Sequence, residues 1–407
     1  MTTKRDSAPL CRPTGPECRE VLLEYAWAIL ADSLPELSGT LTGNMRRDKV
    51  LRFLITALAV GAFVGLICGL AFGGGGTATP RAAAGATSST TSSTVQTEGT
   101  STPGQPMTAE RARTIGANEM GQVLVIMYHL IDTKETEWTR TPDNFRKDIA
   151  LLKAEGFYPI NVRDLASGNI DIPAGKSPVV ITFDDSSPGQ YRILDDGSLD
   201  PNCAVGILQA AVQAGGWAAR ASFFPLLDVT PKERVLWGQP DRKQEKVRNL
   251  VEWGYEVGSH TISHLDLKKA STTDAQWQLA VSQTTLQDMI GGGYKVTSIS
   301  IPYGNYPSNE DIIKSGTYKG KAYSYSAAVS IAERMCASPF SGDFNAYHIP
   351  RIRGSANYIT DAIQKFKDHP GLRYISDGDP TTVSAPKNLD PALGTLSADL
   401  GRPVVRY

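Results

Sequence analysis

The chain predicts an α/β fold built on a mostly parallel sheet or barrel, and three observations point there. Strand-like apolar runs alternate with amphipathic helical stretches from about residue 118 to 370, the rhythm of βα units. One of those runs, PVVITFDD (178–185), is nearly unbroken in its apolar character, as expected of a strand covered on both faces. Residues able to do chemistry fall just after such runs, and sites in parallel α/β folds gather at the carboxyl ends of strands.

The elements follow in order. VLVIMYHL (123–130) is the first strand-like run. Residues 143–155 carry Phe145, Ile149, Leu151 and Leu152 at helical spacing and stop at Gly156, a helix with a glycine end. After the strand at 178–185, residues 204–213 read as helix and ASFFPLL (221–227) as strand. Residues 243–253 form the next helix, ended by Gly254, before the strand YEVGSH (255–260). A longer helix over 273–290 precedes VTSISIPYG (296–304), and a short one over 309–314 precedes KAYSYSAAV (321–329). No internal repeat is evident.

The rest of the chain is a mosaic. Its 407 residues hold 41 Lys plus Arg against 42 Asp plus Glu, a net charge of −1. That balance argues against a nucleic-acid partner held by a whole-chain basic field. Residues 51–72, LRFLITALAVGAFVGLICGLAF, contain a single charge, Arg52, at the margin; roughly 20 apolar residues span a bilayer core of about 30 Å. Arg46, Arg47 and Lys49 precede it, which places the N-terminus in the cytoplasm and everything after Phe72 outside. The run is longer than a signal-peptide core and shows no strong small-x-small cleavage site before Gly73, so an uncleaved signal anchor is expected.

Five segments result: a cytoplasmic stretch (1–50), whose first 44 residues read as an over-long gene start, a transmembrane anchor (51–72), a disordered Gly/Ser/Thr-rich linker (73–117), the folded domain (118–370) and a poorly ordered tail (371–407). An outside location permits a Cys203–Cys336 disulfide, two buried thiols being the alternative.

The chemistry lies in few residues. Asp184 and Asp185 end a strand, and adjacent strand residues point to opposite faces, so the facing carboxylate pair of a retaining glycosidase is hard to build there. His260 and His264, two of only five histidines, lie in SHTISH just after a strand. On one helical turn, i, i+4 spacing puts both imidazoles on one face, within reach of one divalent ion. With a strand-end aspartate they form a two-histidine, one-carboxylate set with positions left for water. Such a set suits Zn²⁺ and also Co, Mn, Fe or Ni.

With these motifs the sequence resembles the polysaccharide deacetylases, carbohydrate esterase family 4, over roughly residues 120–355. The likeness rests on TFDD (182–185), ASFF (221–224), SHTISH (259–264) and IPYG (301–304), in the family's order. It implies a distorted (β/α)7-type barrel. It also implies Asp184 as general base, Asp185, His260 and His264 as metal ligands, and the Tyr303 backbone N–H as an oxyanion donor. Three departures stand out: Ser186 follows the aspartates where a glycine is common, Ser300 stands where the family has an arginine that orients the base, and no clean Leu-x-His supplies the general acid. His348, in AYHIPRIRG, is the first candidate for that acid and His129 the second; His369 reads as a surface residue. Trp217, Trp237, Trp253 and Trp277 read mostly as core, with a sugar-stacking platform among them as the functional alternative.

The expected function is that of a membrane-anchored, extracytoplasmic, metal-dependent N-deacetylase of an envelope or extracellular polysaccharide such as peptidoglycan or poly-N-acetylglucosamine. An O-acetyl esterase of the xylan type would use the same machinery. A silent glycan-binding protein of the same fold is the rival from another class, favoured by Ser300 and disfavoured by the intact Asp-Asp and His-x-x-x-His. A two-histidine, one-carboxylate oxygenase is disfavoured because Asp185 precedes His260 by 75 residues.

Overall fold

The computed structural model describes residues 106–407 apart from position 356. The expected anchor at 51–72 lies outside the described residues, as does most of the linker. Among the described residues, no helix is long and apolar enough to cross a membrane.

The first helix, α1 (Ala109–Ile115), starts from a Thr108 cap and ends at Gly116. The strand β1 (Leu124–Tyr128) is buried along its whole length and leads into a two-strand ribbon, β2 (Leu130–Ile131) beside β3 (Thr139–Arg140). Thr141 caps α2 (Pro142–Ala154), with proline at the first turn where its missing N–H costs nothing. Then come β4 (Phe157–Ile160), α3 (Val162–Ser167), β5 (Ser177–Asp184), α4 (Ala204–Gln213), β6 (Ser222–Phe224), α5 (Lys243–Trp253) and β7 (Glu256–Val257). The chain continues through α6 (Thr272–Ile290), β8 (Ser298–Ser300), α7 (Asp311–Lys314), β9 (Ser315–Tyr318), β10 (Lys321–Ser324), β11 (Ala327–Val329), β12 (Ile352–Arg353) and α8 (Tyr358–Asp368).

The parallel pairings run β12–β1–β5–β6–β7, with β4 also on β5. They do not stop at an edge. Ser259 bridges Ile299 in parallel, β8 pairs β11, and Val329 bridges Ile349 on the segment that leads into β12. Strands β1, β5, β6, β7, β8, β11 and β12 therefore close a ring of seven parallel strands, in agreement with the α/β rhythm of the sequence. The closure is irregular, because β7 and β12 are two residues each and two of the seams are single bridges.

Eight of eight residues in β5 are buried, and each fully buried Val, Ile or Phe contributes roughly 1.5–3 kcal/mol. Phe183 stacks on Phe223 of β6 with ring centroids 4.7 Å apart, tying the two strands below the aspartates. The strand expected over 321–329 is broken: β10 pairs antiparallel with β9, and Tyr325 N–H donates to Lys314 O before the chain resumes as β11.

The tail corrects its expectation. Residues 371–407 pack against the domain as β13 (Val383–Ala385) parallel to β14 (Val404–Arg406), with Tyr374, Val383 and Leu393 buried. Its backbone passes so close to Gly121 that a Cβ there would lie 2.2 Å from the Arg373 carbonyl carbon. Glu119 anchors it, accepting from the N–H groups of Ser384 and Asp377 and from the Tyr374 hydroxyl. The low periodicity of this stretch reflects a wrapping segment held by backbone and polar contacts, with few helical or strand repeats to read. Cys203 and Cys336 are free and buried, the second of the two alternatives that the sequence leaves open.

Candidate active site

The carboxyl ends of β1, β5, β7 and β8 bring together His129, Asp184, Asp185, His260, His264 and Ser300. Asp184 is the last residue of β5 and is buried. Asp185 and Ser186 then take left-handed backbone conformations, φ 71° and 48°. Left-handed conformations are uncommon for residues with a Cβ and cluster at functional sites. This sharp turn re-aims Asp185, so the two neighbours serve one site despite strand alternation.

His260 and His264 do meet, but on an irregular turn rather than the helical turn the spacing suggested. Thr261 and His264 are left-handed, φ 68° and 57°, and the imidazole centroids stand 4.8 Å apart. Gln278 of α6 holds the turn, its Oε1 accepting from Ile262 N–H at 2.7 Å and Ser263 N–H at 3.1 Å.

Three ligand atoms face one another. Asp185 Oδ1 lies 3.4 Å from His260 Nε2 and 3.5 Å from His264 Nε2, and one donor atom from each residue falls within 4.8 Å of the others. His260 Nδ1–H donates to Ser300 O at 2.8 Å, which leaves Nε2 toward the carboxylate, free to ligate a cation when the ring is neutral. Asp185 Oδ1 and His260 Nε2 are both buried without a hydrogen-bond partner. Buried acceptors pointed at one another are costly unless a cation lies between them. The residues therefore fit a divalent metal.

Asp184 has a different surround. Arg351, fully buried, holds it with two parallel bonds, Nη1 to Oδ1 at 2.9 Å and Nη2 to Oδ2 at 2.8 Å. The other three donors of that guanidinium go to Thr182 Oγ1, Ser300 Oγ and Ser330 O, so all five are satisfied. Ser300 Oγ also donates to Asp184 Oδ2 at 2.9 Å. The arginine missing at position 300 is thus supplied across the barrel from position 351, and the small Ser300 side chain leaves room for it.

Charges follow from this packing. Burial pushes the Asp184 carboxyl up, but Arg351 and then His260 outweigh it and hold the group at about 2. Burial likewise pushes the Asp185 carboxyl up, but the hydrogen bond and charge of His260 outweigh it and hold the group well below the usual carboxylate range. Burial and the His260 charge push the His264 imidazole down to about 4. His260 is raised despite burial, by Asp184 and Asp185. His129 is lowered, burial outweighing the same two carboxylates.

The two candidate acids separate. His129 Nε2 lies 3.9 Å from Asp184 Oδ2. His348 is not brought to this cluster: its Nε2 lies 2.7 Å from Glu310 and its ring stacks on Tyr306 at 4.2 Å. Tyr303 is at the site, its ring against His264 at 4.3 Å, 58% exposed and left-handed at φ 58°. Trp217 and Trp237 are buried, whereas Trp253 and Trp277 sit half-exposed on α5 and α6. The half-exposed tryptophan beside the site is Trp138, edge-on to His129 at 4.9 Å. Sequence reasoning missed Trp138 and Arg351. An arginine flanked by isoleucines in the late stretch HIPRIRG (348–354), just before β12, was the available signal for the second.

Residues 171–320 match the family model described as polysaccharide deacetylase. The chain carries a polysaccharide deacetylase domain. Among curated proteins nothing matches it. Solved structures similar to it include a polysaccharide deacetylase from Bacillus cereus, 19% identical, TM-score 0.45, covering 60% of this chain and 69% of that one. A Streptococcus pyogenes deacetylase in complex with acetate is 22% identical, TM-score 0.43, covering 60% and 97%. IcaB from Ammonifex degensii is 16% identical, TM-score 0.41, covering 60% and 96%. At these distances the reading of this deacetylase domain rests on its own residues.

Proposed function

We propose that the chain is a metal-dependent deacetylase that hydrolyses N-acetyl groups of a polysaccharide, tethered outside the cell through residues 51–72. The observation that carries this reading is the buried, unpartnered face of Asp185 and His260 beside an aspartate clamped by arginine. A divalent ion bound by Asp185, His260 and His264 would supply Lewis acidity, polarising the acetamide carbonyl and acidifying water.

The chain's own residues do the rest. Asp184, oriented by Arg351 and Ser300, accepts the proton of the attacking water. At about 2 it is a weak store for that proton, and the imidazole of His129, neutral to begin with, stands 3.9 Å away. The pair takes up one proton as the water oxygen bonds to the carbonyl carbon, and His129 returns it to the nitrogen as the C–N bond breaks. Acetate and a free amine leave. The Tyr303 N–H is the oxyanion donor in this account, and Trp138 and Tyr303 offer aromatic faces to a sugar on either side.

Acetate release from an N-acetylated glucosamine oligomer, with an O-acetylated xylan oligomer in parallel, tests the reading. Asp184→Asn and His129→Gln are each expected to lower kcat about 10²–10⁴-fold, the usual worth of a positioned proton-transfer group, with metal binding retained. Full activity in Asp184→Asn contradicts the mechanism. Faster release from the xylan oligomer moves the assignment to an ester substrate.

A further inference from the structure

The loop between β6 and α5 adds something that the motifs do not account for. Arg234 Nη2 lies 2.7 Å from Asp185 Oδ2, the oxygen turned away from the histidines. The same residue's carbonyl accepts from Ser186 Oγ at 2.5 Å, and Ser186 Oγ in turn accepts from Leu226 N–H at 3.0 Å. Trp237 N–H donates to Ser186 O at 3.1 Å, which ties the far end of the loop to the same turn. Leu236 and Trp237 are left-handed, φ 49° and 64°, and the buried Lys246 ammonium holds Trp237 O at 3.0 Å. A glycine at position 186 would lack the hydroxyl that fastens this loop. Serine there and arginine at 234 therefore form one device.

We infer that Arg234 is a positioning residue for the metal site, holding Asp185 in one orientation so that only Oδ1 is presented to the ion. The inference rests on the metal-dependent reading above. Each aspartate of the pair then has its own arginine: Arg351 clamps the proton-accepting Asp184, and Arg234 clamps the ligand Asp185. A carboxylate with one oxygen occupied by a guanidinium cannot swing to grip a cation with both. Nor can it turn away when the site is empty.

The sign of the effect separates positioning from simple charge. Deleting a cation beside a dication site should tighten metal binding if charge alone acts, since like charges repel. If Arg234 acts by orienting the ligand, its loss should loosen binding, and groups that orient metal ligands are typically worth 10–100-fold in affinity. The test is the Zn²⁺ dissociation constant of the full-length chain, measured by chelator competition without substrate, for wild type, Arg234→Met, Arg234→Lys and Ser186→Ala. Expected are a 10–100-fold loss in Arg234→Met, partial recovery in Arg234→Lys, and a smaller loss in Ser186→Ala, which frees the loop but keeps the guanidinium. Unchanged or tighter zinc binding in Arg234→Met overturns the inference. If Arg234→Met does not fold, unchanged binding in a folded Ser186→Ala overturns it in its place. A wild type that does not bind zinc is a failure of the metal-dependent reading itself and is distinguishable from both.

Discussion

Two places in the domain bury carboxylates, and burial has opposite outcomes in them. At the open end of the barrel, Asp184 is held at about 2 by Arg351 and His260 in spite of being buried. Where the C-terminal segment docks, burial and then the neighbouring charge of Asp377 push Glu119 up to about 8. The difference lies in the company kept. Asp184 faces a guanidinium with every donor used, whereas Glu119 receives hydrogen bonds from neutral groups alone. Burial by itself disfavours a charge, and a well-placed opposite charge reverses that. The reactive end is built to keep its aspartates ionised. The docking end keeps a proton.

The largest expected effect comes from removing the clamp. Arg351→Met leaves Asp184 buried without its guanidinium, and breaking a buried pair on one side costs about 3–5 kcal/mol. For a domain of this size each kcal/mol lowers the melting temperature by about 2–4 °C, so a drop of roughly 6–20 °C is expected, with loss of acetate release. A melt within about 3 °C of wild type would erase the contrast between the two regions.

Zinc binding comes next. Zinc at 100 times its dissociation constant should stabilise the domain by about 2.7 kcal/mol, and the thermal shift should vanish in His260→Ala. A shift that survives that substitution would place the ion elsewhere.

The smallest effect sharpens the comparison through pH. For Asp184, whose folded value lies below its usual 3.8, stability is present above that value and is lost as the pH falls through about 2. For Glu119 the sign is reversed: stability is full below 4.5 and is lost as the pH rises through about 8. Hydrogen exchange, corrected for its intrinsic pH dependence, should show residues 374–385 opening more readily at pH 8.5 than at pH 5. Glu119→Gln, neutral at every pH, should flatten that slope. Equal protection at both values would show that Glu119 is ionised throughout.

Much of this was legible in the sequence, for reasons local to each stretch. The helix expected over 243–253 ends at Gly254, which takes φ 102° in the structure, a conformation that stops a helix cheaply. The run at 178–185 reads as a covered strand because every residue of β5 is buried. Asp184, Asp185, His260 and His264 converge as expected, since all follow strands of one parallel sheet. What could not be read depends on closing the ring. Arg351 reaches Asp184 from 167 residues away, and its pairing with Ser300 exists only once β12 lies beside β1. The turn that joins His260 to His264 uses two left-handed residues, which spacing alone mistakes for a helix. His348 is the nearest stand-in for a late Leu-x-His in the sequence, yet its imidazole is engaged by Glu310 and Tyr306, contacts that only the folded chain creates.

The most direct measurement is a zinc titration of the metal-free chain, followed by acetate release from an N-acetylated glucosamine oligomer. Release should rise linearly to one zinc per chain and then level off, and His260→Ala should stay silent across the titration. Equal release from metal-free protein, or full release in His260→Ala, would contradict the account.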